Sequence, residues 1–282
     1  MNYPEITRFA PSPTGYLHIG HAYAALFAEK FARETGGRFI LRIEDIDKAR
    51  CKPELEQAIY EDLNWLGLTW DEPVRRQSNH LADYTAALNT LSKLNLTYPC
   101  FCTRKEINAE IQRAGGAPHN SEVSVYPGTC KLLTETERMK RIHEGQGHAT
   151  RLNMTEALEI TGVLSWKDRE AGLQTANFNC FGDIIIARKD IPTSYHLSVT
   201  VDDALQDITL VTRGEDLAES TSIHRLLQSL LGYKSPQYCH HKLIKNSEGK
   251  RLAKRDRGTS LRSLRAKGKK PKDIRSMIGM DS

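Results

Sequence analysis

Cysteine is scarce and scattered in this chain: six residues, Cys51, Cys100, Cys102, Cys130, Cys180 and Cys239, spread over 282 positions. That is too few for a disulfide framework at this length and fits reduced thiols. Long apolar runs are absent as well. No stretch approaches the ~20 residues of a membrane span, and the N-terminus has no basic-plus-apolar signal region. The expectation is a cytoplasmic chain with no membrane partner. Internal repeats are also missing, which excludes a solenoid or propeller. What is present is an ordinary globular composition, 39% apolar and 27% charged, enough for one large domain or two. The formal net charge of +5 is small but uneven: from Lys242 to Ser282 there are 14 Lys and Arg against 4 Asp and Glu, a net of +10 that leaves the rest at about −5. A basic end on a mildly acidic body points to a polyanion met from one side.

The most informative stretch is at the start, Arg8-Phe-Ala-Pro-Ser-Pro-Thr-Gly15 followed by His18-Ile-Gly-His21. Ile6 to Phe9 predicts a short buried strand, and Pro11, Pro13 and Gly15 force a turn. Ala22 to Arg33 is rich in good helix formers and is stopped by Gly36-Gly37. Strand, loop and helix N-terminus therefore follow in order, and such an N-terminus attracts phosphate through its unpaired N–H groups and dipole. His18 and His21 stand at that mouth, with Gly20 expected to leave room for an adenine ring or ribose. Arg38 to Asp45 reads as a second, parallel strand whose end delivers Glu44. Helices are expected from Pro53 to Leu66, from His80 to Leu94 and from Ser220 to Gly232, with strands at Thr150–Met154, Asp183–Arg188, Ile208–Arg213 and Tyr238–Ile244. Tyr195 to Leu205 is helix-prone and carries Asp202-Asp203.

The stretch RFAPSPTG-x-LHIGH resembles the signature of class I aminoacyl-tRNA synthetases, specifically their glutamyl branch. Arg42-Ile-Glu-Asp45, Tyr195-His196 with Val201-Asp202-Asp203, and Arg213-Gly-Glu-Asp-Leu217 resemble the same branch in the same order. The second class I signature is matched by Arg251-Leu-Ala-Lys254-Arg, with Arg251 and Ala253 departing from the usual K-L-S-K. The resemblance implies an α/β fold: a Rossmann-like nucleotide-binding domain with a parallel sheet, split by an inserted zinc-containing subdomain. The expected division is residues 1–97 and 191–245 for the two catalytic halves, 98–190 for the insertion, and 246–282 for the signature loop and a basic tail.

Within the insertion, the thiols of Cys100 and Cys102 and that of Cys130 on a Pro-Gly turn have the spacing to face one tetrahedral ion, which leaves a fourth ligand open. His119 and His143 qualify on chemistry alone. The pattern C-x-C…Y-x-x-x-C of the glutamyl-queuosine tRNA(Asp) synthetase family falls instead on Cys100, Cys102, Tyr126 and Cys130, implying one structural Zn²⁺. The resemblance further implies ATP with Mg²⁺ held by His18, Gly20, His21, Arg251 and Lys254, of which His18, His21 and Lys254 are the catalytic candidates. It implies L-glutamate held by Arg8, Ser12, Glu44, Tyr195 and Arg213. Only 28 residues follow Lys254, and none opens a large anticodon-binding domain. The expected partner is accordingly tRNA(Asp) containing queuosine, met by a monomer. A compact or truncated conventional glutamyl-tRNA synthetase, and a non-catalytic tRNA-binding paralogue, are the alternatives.

Overall fold

The computed structural model describes residues 3–107, 126–244 and 260–280. Strand β1 (Ile6–Phe9) runs into a Pro-rich loop, helix α1 (Ile19–Glu34), and strand β2 (Arg38–Ile43), which lies parallel to β1. Helix α2 (Pro53–Trp65) begins on its proline, whose missing N–H costs nothing at that position. A two-residue strand β3 (Arg75–Arg76) then adds parallel to β2. Helix α3 (Leu81–Lys93) follows.

The insertion opens with β4 (Thr97–Cys100) and contains α4 (Glu135–His143), β5 (Ala149–Leu152) and β8 (Ile185–Ala187); β4, β5 and β8 form an antiparallel sheet. Between them lie α5 (Met154–Thr161) and a hairpin, β6 (Ser165–Asp168) with β7 (Gly172–Thr175). The chain returns through α6 (Tyr195–Leu205), β9 (Leu210–Gly214), α7 (Ser220–Leu230) and β10 (Gln237–His241). The second sheet has the order β7-β6-β10-β9, with β6, β10 and β9 parallel. A backbone bond from Thr209 N–H to Ile6 O at 3.0 Å sets β9 beside β1 and joins the two sheets. Strand order reverses at that seam, which is where open α/β sheets bind ligands, at the carboxyl ends of the strands.

The β6–β7 hairpin is not foreseen by periodicity, because its four-residue strands are short and largely exposed. Its turn explains it: Asp168 accepts the N–H groups of Glu170 and Ala171, and Gly172 takes φ +74, as three-residue hairpin loops require.

The basic terminal stretch is also ordered where it is described. Helices α8 (Leu261–Ala266) and α9 (Pro271–Met277) send Leu261, Leu264, Ile274 and Ile278 into the same buried cluster as Phe9, Leu26, Phe39 and Leu63. Burial of this kind stabilises by roughly 1.5–3 kcal/mol per large side chain. Leu261 N–H bonds Leu17 O at 2.8 Å and Ser260 bridges to His18, so this segment returns directly to the histidine loop. Among the described residues, no helix is long and apolar enough to cross a membrane.

Candidate active site

At the seam between β1 and β9 lies a cavity of about 440 Å³ lined by Arg8, Pro11, Ser12, His21, Glu44, Tyr195, Thr212 and Arg213, among others. The residues come from five segments: the end of β1 and its loop, the first turn of α1, the end of β2, the first turn of α6, and the end of β9. Glu44 N–H bonds Pro11 O at 3.0 Å and Lys52 N–H bonds Pro13 O, which pins the Pro-rich loop against the end of β2.

His18 and His21 are built into the helix start. His18 is the N-cap, its Nδ1 accepting from Gly20 N–H at 3.1 Å, while His21 Nδ1 accepts from His18 N–H at 3.1 Å; the rings stack at 3.8 Å between centroids. A neutral ring that accepts at Nδ1 carries its proton on Nε2, so both histidines offer Nε2–H as a donor. The space beside Gly20 is taken by the His18 ring, since a Cβ there would lie 3.0 Å from its Cε1. Arg251 and Lys254 lie outside the described residues, as does His119. Ser260, which follows them, is bridged to His18.

Arg8 is buried and gives a fork to Asp203, Nε to Oδ1 at 3.0 Å and Nη2 to Oδ2 at 3.4 Å, with Nη1 bonding Thr212 O at 3.2 Å. Behind it Arg42, fully buried, sits 2.8 Å from Asp203 and 3.5 Å from Glu44. Asp202 receives Arg75 at 2.7 Å, Gln77 at 2.8 Å and the Tyr84 hydroxyl at 3.0 Å. Three guanidinium groups thus face Asp202, Asp203 and Glu44, a balance that makes burial of all six tolerable. Residue patterning singled out Asp202-Asp203 as a motif without a role; the structure makes the pair the counter-charges of Arg8, Arg42 and Arg75 behind the pocket. Asp45 bonds the N–H and hydroxyl of Ser78 and starts the turn before α3.

Glu44 is the titratable member. Burial raises its carboxyl to about 7, against the opposing pull of Arg42 and Arg8. Burial also raises the Tyr195 hydroxyl, which stays protonated and able to donate at neutral pH. Arg213 has a different setting from Arg8: its three nitrogens meet Thr221 Oγ1 at 2.6 Å, His224 Nδ1 at 3.0 Å and His240 Nε2 at 3.3 Å, and no carboxylate among the described residues pairs with it. Composition and motif reading missed His224, His240 and Asp168. The one local signal was the His240-His241 pair in β10; His224 and Asp168 lie in other elements with nothing beside them to mark them.

A second cluster lies in the insertion. The sulfurs of Cys100, Cys102 and Cys130 are all within 4.8 Å of one another, and Cys102 and Cys130 are 3.3 Å apart. The Tyr126 hydroxyl is 3.7 Å from Cys102 Sγ and accepts Cys130 N–H at 2.8 Å. Three sulfurs this close are able to share one tetrahedral ion. His143 is exposed at the end of α4 and is not in the cluster.

The profile of the family described as "tRNA synthetases class I (E and Q), catalytic domain" matches residues 6–280. A glutamyl-Q tRNA(Asp) synthetase of Rhodobacter capsulatus is 48% identical over 98% of this chain and 100% of its own length. A glutamate–tRNA ligase of Aquifex aeolicus is 40% identical over 95% of this chain but only 55% of its own. Among solved structures, a glutamate tRNA ligase from Elizabethkingia meningosepticum in complex with its amino acid superposes with TM-score 0.76 at 32% identity, covering 90% of this chain and 52% of that one.

Proposed function

Because this chain belongs to the class I tRNA synthetases of the E and Q group, alongside the glutamyl-Q tRNA(Asp) synthetases, we propose that it activates L-glutamate with ATP. We propose further that it transfers the glutamyl group to queuosine in tRNA(Asp). The observation that carries this reading is the pairing of unlike charges in one cavity: a buried carboxylate, Glu44, and a guanidinium with no carboxylate partner among the described residues, Arg213.

Glutamate needs one anion for its ammonium and a fixed cation for its side-chain carboxylate. Glu44 takes the ammonium. Arg213 takes the side-chain carboxylate, because the charge of Arg8 is already met by Asp203. Arg8 then fixes the floor and lends donors from its edge, while Ser12 and the Tyr195 hydroxyl supply neutral hydrogen bonds. The α-carboxylate oxygen attacks the α-phosphorus of ATP, the bond to the bridging oxygen breaks, and pyrophosphate leaves with its Mg²⁺. His18 and His21 donate from Nε2 to the phosphate oxygens, and the α1 N-terminus adds its dipole. Lys254, with Arg251, neutralises charge developing on the phosphates. A queuosine hydroxyl next attacks the acyl carbon of the adenylate, and AMP departs. The three thiols with the Tyr126 hydroxyl would hold one Zn²⁺, which would tie the insertion together apart from the reacting groups.

Glutamate-dependent exchange of pyrophosphate into ATP, with and without tRNA, tests the first half. Exchange is expected without tRNA, and Lys254→Ala lowers it by about two decades. The second half is tested with three RNAs: tRNA(Asp) carrying queuosine, the same tRNA without it, and a queuosine-containing tRNA lacking its 3′-terminal adenosine. Glutamate on the first and third only is the expected result. Labelling of the second with loss of the third would mark a conventional glutamyl-tRNA synthetase, a reading kept open by the 40% identity to the Aquifex aeolicus ligase.

A further inference from the structure

We infer that His224 and His240 are positioning residues that hold Arg213 by presenting opposite ring nitrogens as bare acceptors, and that Asp168, from the β6–β7 hairpin, sets this arrangement. The inference rests on the proposed role of Arg213 as receiver of the glutamate side chain.

A guanidinium only donates, so every partner it has must accept. At His224 the accepting atom is Nδ1, 3.0 Å from Arg213 Nη1, which puts the ring proton on Nε2; that nitrogen in turn meets His196 Nδ1 at 3.2 Å. At His240 the accepting atom is Nε2, 3.3 Å from Arg213 Nε and 3.2 Å from Thr221 Oγ1, which puts the proton on Nδ1. That Nδ1–H donates to Asp168 Oδ2 at 2.6 Å, and Asp168 Oδ1 is fixed by the N–H groups of Glu170 and Ala171. The polar line therefore runs Asp168, His240, Arg213, His224, His196, each donor facing an acceptor. His224 is 3% exposed and Arg213 6%, so water is not at hand to replace a missing partner. Burial, followed by the charge of Arg213, holds the His224 and His196 rings neutral, His196 down to about 4; burial lowers His240 too, with Asp168 opposing.

This arrangement solves a specific difficulty. Buried arginines elsewhere in the pocket are balanced by carboxylates, and a carboxylate on Arg213 would compete with the substrate. Two neutral imidazoles and the Thr221 hydroxyl satisfy three of its five donors and fix its plane while leaving its charge unspent. The other two donors, one on each terminal nitrogen, remain for a carboxylate, which a guanidinium binds as a fork.

The decisive measurement is ¹⁵N NMR of imidazole-labelled wild-type protein at pH 7. The bare nitrogen is expected at Nδ1 in His224 and at Nε2 in His240; identical tautomers, or an imidazolium at either position, would overturn the inference. Kinetics supply the functional arm. His224→Leu and His240→Leu should raise KM for glutamate at least tenfold while KM for ATP stays within about twofold, and the acceptor-retaining variants His224→Asn and His240→Gln should recover most of the loss. Leucine variants that bind glutamate normally, or that lose affinity for both substrates together, would reduce the histidines to packing. Should wild-type protein show no glutamate-dependent exchange, the proposed activity fails, whereas the tautomer assignment is still read independently from the spectra.

Discussion

Glu44, the proposed receiver of the glutamate ammonium, would make substrate recognition depend on pH. Burial places its carboxyl at about 7, and only the ionised form attracts an ammonium. Because the value is raised, the anion is fully present above about 7 and lost as pH falls through it. KM for glutamate should therefore rise about tenfold per unit below that point, and Glu44→Gln should flatten the dependence while weakening binding throughout. A KM series from pH 8 to 6 checks both. The sign for stability is opposite, since protonation relieves a buried charge, so acid should not unfold the protein through this group. Asp203 behaves otherwise: burial opposes its ionisation, but Arg8 and Arg42 outweigh it and hold the carboxyl low. Asp203→Ala leaves two buried guanidinium groups short of a partner and should cost about 3–5 kcal/mol in denaturant unfolding.

At the scale of elements, the start of α1 and the cysteine cluster each place chemistry on a local motif. A methyl group at position 20 would press on the His18 ring. Gly20→Ala should push that ring off its cap, lose roughly 1 kcal/mol of helix capping, and lower kcat/KM for ATP by about tenfold or more with little change in KM for glutamate. Steady-state exchange kinetics separate the two substrates. The cysteine cluster ties β4 to the turn that carries Cys130. Reduced, freshly purified protein should contain one zinc per chain by metal analysis, and Cys100→Ser should abolish it. That variant should expose the insertion to proteolysis while adenylate formation survives, because the thiols lie outside the cavity that holds Glu44 and Arg213.

On the scale of the whole molecule, the basic end is a charged face held by the core. Residues 260–280 carry seven Lys and Arg against one Asp; Lys267, Lys269, Lys270 and Lys272 are exposed, and no ion pair is found for them among the described residues. Arg262 lies 5.4 Å over the exposed ring of Tyr16, beside the histidine loop. Replacing Lys269, Lys270 and Lys272 with Gln should weaken tRNA binding and make its salt dependence shallower, by nearly one unit of log–log slope for each phosphate that is no longer neutralised. Exchange without tRNA should not change. Ile274→Ala tests the anchoring of the same face and should cost about 2–5 kcal/mol, since its side chain is wholly buried.

Much of this was decided by local chemistry that a sequence displays. Ile6–Phe9 is a strand because it is a short β-prone run cut by prolines, and α1 forms because a run of good helix formers is stopped by Gly36-Gly37. Glu44 arrives at a strand end because Arg38 to Ile43 is apolar and β-branched. The spacing of the three cysteines suggests one cluster, and their sulfurs do lie within 4.8 Å of one another. Other features were beyond local reading because their causes are distant in the chain. Arg8 and Arg213 are both arginines at strand ends, and nothing beside them says that Asp203 spends the charge of one while His224 and His240 spare the other. Asp168 sits in a polar hairpin with no apolar stripe, and reaches His240 only because β6 joins β10 in the second sheet. The basic terminus reads as a tail facing a polyanion, with no sign of its anchoring, because a few apolar residues among many lysines mean little until α8 and α9 meet the first core. Periodicity reports which face is buried, whereas the protonation and charge of a buried group depend on partners that only the folded chain brings within 3 Å.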